Sequence, residues 1–167
     1  MRFNSRTSFR VRKKGKSKSG FACGEFAIAC ILMVLVAALT SDITLLIFAN
    51  SLNDAACRDA ARAAGQNNNA ASALAAAKAQ LLMHATDGKF ISQPGLTSTS
   101  APDFIYNDFT GTPPANTSPY VTVTTSVNVR LPFLLDLFGV DFYGASKHTV
   151  LFRRQYTFPI IKEKFYG

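Results

Sequence analysis

Ser19-Gly20-Phe21-Ala22-Cys23-Gly24-Glu25-Phe26 opens an apolar run that continues to Ala49, and its reading decides how the rest of the chain is built. No acidic residue precedes Glu25, and no charged side chain follows it until Asp42. Residues 26–39 carry no polar side chain apart from Cys30. Thr40-Ser41-Asp42 interrupts the run, and residues 43–49 resume it. A span of about 20 apolar residues is needed to cross ~30 Å of hydrocarbon. Glu25 and Asp42 stand roughly 26 Å apart along a helix rising ~1.5 Å per residue. One carboxylate can therefore sit near each face of a membrane, with residues 43–49 emerging on the far side and needing a protein partner rather than water. A carboxylate at the mouth of such a helix is costly, and charges retained there usually serve a function.

The charge distribution agrees. The 167 residues carry a formal charge of +8, and Arg2, Arg6, Arg10, Arg12, Lys13, Lys14, Lys16 and Lys18 account for all of it. The rest of the chain is neutral. A basic tail on a neutral body argues against a nucleic-acid-binding protein, whose cations would spread over a binding face. A tail rich in Lys and Arg stays on the cytoplasmic side of a membrane. Of the three cysteines, Cys23 and Cys30 lie in or beside the apolar run and only Cys57 leaves it, so no intrachain disulfide framework is expected.

Beyond the apolar run a helix is expected to continue through residues 50–64, with Asp54 and Arg58 paired at i,i+4 and Asp59 and Arg62 at i,i+3. Ala55, Ala56, Ala60, Ala63 and Ala64 keep it slim enough for close packing. Gly65 and Asn67-Asn68-Asn69 stop it. A second helix is expected over 70–85, with Leu74, Ala77, Leu81 and Leu82 as its buried stripe and His84 as a surface or cap residue. Residues 87–119 turn to Thr, Ser, Pro, Gly and Asn and read as loop, with a short strand near Phe104-Ile105-Tyr106. Asp87, Asp103 and Asp108 read as turn residues.

The clearest strand is 120–131. Val121, Val123, Val127, Val129 and Leu131 fall on one face, and Thr122, Thr124, Ser126, Asn128 and Arg130 on the other. Such alternation marks a half-buried strand of an antiparallel sheet. Phe133, Leu134, Leu135, Leu137 and Phe138 form either an interaction patch or a segment tucked under the sheet edge. A second strand, containing a structural His148, is expected over 141–156, with Thr157-Phe158-Pro159-Ile160-Ile161 closing the chain. The fold class is α+β: a long N-terminal transmembrane helix continuing into a helical hairpin, then a small antiparallel sheet. The expected division is a leader (1–20), a membrane helix (21–65) and an extracytoplasmic α+β domain (66–167).

The order of these parts resembles a type IV prepilin. A basic leader containing Lys13, Lys14, Lys16 and Lys18 runs to Gly20, then come an apolar Phe21, a glutamate at the fifth place (Glu25) and a long apolar helix. In that family a membrane-embedded aspartyl peptidase cuts after the glycine and methylates the new amine, which implies a cut between Gly20 and Phe21. Within that superfamily the chain is most similar to the TadE-like pseudopilins of tight-adherence, Flp-type (type IVb) systems. The similarity lies in Glu25-Phe26, the Ala/Arg-rich run Asn53-Asp54-Ala55-Ala56-Cys57-Arg58-Asp59-Ala60-Ala61-Arg62 and the valine-alternating hairpin near the end. Asp42 inside the apolar helix and Gly24 before the glutamate depart from the pattern. The resemblance implies a minor pilin or pseudopilin in the bacterial inner membrane, its N-terminus cytoplasmic and its C-terminal domain periplasmic. It also implies a prepilin peptidase, other pilin subunits and membrane lipid as partners, with no cofactor and no metal.

Glu25 has a physical role that stands apart from the family. Cleavage exposes an ammonium on Phe21 at the membrane edge, and a carboxylate on a neighbouring subunit can neutralise it. Capping the helix N-terminus is the simpler use of the same charge. Competing architectures are a secreted protein cut near Ala37-Ala38-Leu39-Thr40, a lipoprotein, and an uncleaved single-pass envelope protein with an external binding domain. The first lacks an A-x-A site and has a charged residue opening its apolar region. The second fails because Cys23 precedes the apolar run. No H-E-x-x-H, G-x-S-x-G or phosphate-loop pattern is present, and the two histidines are far apart in sequence, so no enzyme is expected.

Overall fold

A computed structural model of the chain describes residues 19–109, 114–132 and 149–161. The elements run α1 (Ser19–Gly65), α2 (Ala70–Met83), β1 (Gly95–Leu96), β2 (Phe104–Asn107), β3 (Tyr120–Arg130) and β4 (Thr149–Pro159). The architecture is α+β. The chain divides into two compact units, Met1–Val36 and Ala37–Gly167. Lys13, Lys14, Lys16, Lys18, the apolar patch at 133–138 and His148 lie outside the described residues.

In the second unit, α1 ends where the sequence stops favouring helix. Asn67 donates its backbone N–H to Ala64 O and its side-chain amide to Ala63 O, satisfying two carbonyls of the last turn. Gly65 is required by space. A Cβ there would stand 2.8 Å from both a Phe158 ring carbon and Pro159 O. Asn69 caps α2 by accepting from the Ser72 N–H at 2.8 Å, and His84 closes it by donating its own N–H to Leu81 O.

The sheet is organised by β3. β4 pairs along its whole length, from Tyr120↔Pro159 to Arg130↔Thr149. The other edge is filled in steps by one stretch of chain: an isolated bridge Ile91↔Val129, then β1 against Ser126 and Thr125, then β2 against residues 120–123. All pairings are antiparallel. This register sets Val121, Val123, Thr125, Val127 and Val129 beside Phe158, Tyr156, Arg154, Phe152 and Val150 on one sheet face.

The core has two parts. Ala56, Ala60, Ala61 and Ala64 of α1 and Ala73, Ala77 and Leu81 of α2 pack with Phe104, Val121, Val123 and Ile160. Ala49 packs with Ile91, Val127 and Val129, joined by the half-buried Leu45, Leu46, Leu52, Phe90, Leu131 and Phe152. Alanine dominates where two helices meet the sheet, because small side chains let the backbones approach.

Several expectations are corrected. α2 stops at Met83, two residues early, and its buried stripe is Ala73, Ala77 and Leu81. Leu82 is 67% exposed, because it lies a quarter turn off that stripe and lines a surface groove with Lys78, Pro94 and Leu96. Asp59 is paired with His84 at 3.2 Å, and among the described residues it makes no ion pair with Arg62. Described strand begins at Thr149 and carries on through Pro159, so Thr157, Phe158 and Pro159 are strand; residues 141–148 lie outside the described residues. Thr122 and Thr124 are buried despite sitting on the polar face. Their place on the central strand decides this, and Thr122 meets the Thr157 hydroxyl at 2.9 Å. Residues 43–49 find half of their partner within the chain: Leu45, Leu46 and Ala49 pack on the sheet, while Ile43, Ile47 and Phe48 stay exposed.

Candidate functional site

Gly20, Phe21 and Glu25 fall on the first two turns of α1. Both residues flanking the expected cut, Gly20 and Phe21, have helical backbone. Gly24 follows one turn on, with open space where a Cβ would be. Glycine is the least favourable helix residue after proline, by about 1 kcal/mol relative to alanine, so two of them leave the opening turns easy to unwind. Glu25 is exposed.

The side chains after it are large, apolar and uncovered. Phe26 is 72% exposed and Met33 71%, and Ile28, Ile31, Leu32, Val34 and Val36 are exposed as well. A helix with hydrophobic residues on every side suits surroundings that are apolar on every side. α1 is the one described helix that is long and apolar enough to cross a membrane. Cys23 and Cys30 are both exposed on it.

The second unit has a separate polar seam where α1 meets β3 and β4. Asn53 is fully buried; its Oδ1 accepts from the Thr125 hydroxyl at 2.8 Å and its Nδ2 donates to Phe152 O at 3.3 Å. Cys57 lies one turn on, also fully buried, with Sγ 3.3 Å from both Val123 O and Arg154 O. Burial pushes the Cys57 thiol above its ordinary value, against a smaller opposing pull from hydrogen bonding to Thr125. That keeps it a thiol rather than a reactive thiolate.

At the outer margin of the seam, Asp54 accepts from Arg58 at 3.0 Å and from the Tyr156 hydroxyl at 3.2 Å, and Arg58 also donates to that hydroxyl. Arg154 donates to Asn50 Oδ1 at 3.0 Å. The Asp54–Arg58 pair expected from spacing is therefore half of a network that ties α1 to β4. The remaining signal was the recurrence of Asn50, Asn53, Asp54 and Cys57 along an alanine-rich stretch of helix. A single sequence does not say which strand residues answer them.

Neither a family model, nor a curated protein, nor a solved structure matches this chain.

Proposed function

We propose that this chain is a TadE-like minor pilin or pseudopilin of a tight-adherence, type IVb system, anchored in the bacterial inner membrane with its α+β domain outside the cytoplasm. The single observation that carries the reading is the conjunction at the start of α1. Gly20, Phe21 and Glu25 stand at prepilin spacing immediately before an apolar helix whose side chains are uncovered. A basic leader containing Lys13, Lys14, Lys16 and Lys18 precedes them, which supports a cytoplasmic N-terminus.

In this reading the two glycines let the first turns open so that a prepilin peptidase can reach the Gly20–Phe21 bond. The new Phe21 ammonium then lies at the membrane edge. Glu25 of a neighbouring subunit pairs with it, since two opposite charges brought together in a low-dielectric setting cost much less than two left apart. That pairing sets the axial offset between packed helices. The work of the protein is assembly: its apolar helix packs among other pilin helices and lipid, and its domain is presented to partner subunits.

One observation favours a second reading. Gly20 and Phe21 are helical, which shields the bond between them, and an uncleaved single-pass envelope protein with an external binding domain would keep that helix intact.

N-terminal sequencing of the membrane form from cells containing a prepilin peptidase separates the two. A start at Phe21 is expected, Gly20→Val should accumulate full-length precursor, and Glu25→Ala should be cut normally yet fail to assemble. An intact Met1 in wild-type material overturns the proposal, and normal assembly of Glu25→Ala removes the pairing role.

A further inference from the structure

The second unit exposes cations and apolar side chains together at one end, the end that holds Asp42. The core at that end joins Leu45, Leu46 and Ala49 of α1 to Val127, Val129 and Leu131 and to Phe90 and Ile91. Register and hydrogen bonding fix what else lies at that level. The Arg130 N–H donates to Phe90 O at 2.7 Å, which brings Lys89 beside Arg130, and both side chains are exposed. Lys89 Nζ stands 5.5 Å from the centre of the Phe90 ring. The nearby carboxylate of Asp87 is turned back onto the N–H groups of Phe90 and Ile91, at 3.3 Å each. Asp42, on the α1 face that carries Leu45 and Leu46, is only 3% exposed. On the opposite side of α1 at the same level, Ile43, Ile47 and Phe48 are uncovered.

We propose that this end of the domain rests on the membrane surface, with Lys89 and Arg130 against anionic lipid headgroups, Ile43 at the boundary with the acyl chains, and Ile47 and Phe48 at the level of the headgroups. This rests on the reading of α1 as a membrane anchor. Counted from Asp42 at the edge of the hydrocarbon, Leu46 is roughly 6 Å further along the helix. The headgroup layer is about 5–8 Å deep on each side, and the surface potential decays over a screening length of about 8 Å. Lys89 and Arg130 therefore lie inside the anionic field, whereas Arg153, paired with Ser126 four residues along β3, lies beyond most of it. The two described cations are by themselves too few to recruit a free protein to a membrane. Here the anchor already holds the domain at the surface, so their attraction needs only to choose which part of it faces the lipid. Each contributes about fivefold to the preference for the resting orientation.

The test uses the full chain in lipid nanodiscs. It contains no tryptophan, so Leu151→Trp, exposed on β4 opposite Asn128, is a lone reporter. Its fluorescence is read against a quencher attached to lipid headgroups, in discs of phosphatidylcholine alone and of phosphatidylcholine mixed with phosphatidylglycerol. Stronger quenching in the anionic discs is expected. It should be lost at high salt and in the Lys89→Gln/Arg130→Gln double variant, and should survive Arg153→Gln almost unchanged. Equal quenching in the two lipids, or a double variant like the parent, overturns the proposal. So does an effect of Arg153→Gln as large as that of the double variant. Failure of the anchor reading is a different result: the chain would then elute apart from the discs, whatever their lipid.

Discussion

The two halves of α1 use side chains in opposite ways. From Phe26 to Val36 the helix carries Phe, Ile, Leu, Met and Val, and all of these but the half-buried Leu35 are exposed. From Ala49 to Gly65 alanine is its commonest residue, and Ala49, Ala56, Ala60, Ala61 and Ala64 have no accessible surface at all. Hydrophobicity alone would rank the first half as the core and the second as a mild surface helix. The opposite burial teaches that size answers a different question from polarity. Large apolar side chains suit a surrounding that is itself apolar, whereas a helix that must lie close against a sheet and a second helix needs small ones.

The sharpest way to break this comparison is the same substitution in each half. Ala60→Leu should destabilise the domain by about 3 kcal/mol through overpacking against α2 and β3. Ala29→Leu should change it by less than about 0.5 kcal/mol. Pulse proteolysis of the detergent-solubilised full chain across a urea series reads both, and equal effects would mean that the alanine face is not close-packed. Next in size is Gly65→Ala, which forces Phe158 and the backbone at Pro159 to shift and should cost about 2 kcal/mol in the same assay.

The smallest effect concerns Cys57 and depends on pH. Its thiol titrates higher in the folded chain than the ordinary 9.0, so above that value the unfolded chain gives up its proton first. Stability is then complete below the ordinary value and falls as pH rises toward the folded one, by at most about 1.4 kcal/mol per pH unit. Cys57→Ala should lose that alkaline slope, whatever it does to stability at neutral pH. An unchanged slope would assign the alkaline loss to other groups.

How legible each part was in the sequence follows from the contrast available to read. β3 declares itself because Val and Thr alternate, and the start of α1 because charge is absent over a membrane's length. The candidate site at Gly20, Phe21 and Glu25 is wholly contained in consecutive residues, so the structure adds only that its backbone is helical. α2 was harder. Ten of its fourteen residues are alanine or leucine, and no continuous polar face marks Ala73 as inside and Leu82 as outside. β1 and the bridge at Ile91 carry no strand pattern of their own, since two residues or one cannot show a period; β3 imposes their conformation. The bonds from Asn53 and Cys57 join residues 66 to 99 positions apart, and only the folded register brings those together.

The buried amide of Asn53 has a mechanical consequence. Valine and alanine surfaces are smooth, and by themselves would let α1 slide along the sheet with little change in contact. Asn53 and Cys57 act as teeth, since moving the helix by one turn would strand the Thr125 hydroxyl and the two side chains in an apolar setting with nothing to bond. A pull along the axis of α1 between Ala49 and Gly65 therefore meets a catch that yields all at once, so the helix and the sheet should come apart as one event and not by gradual creep.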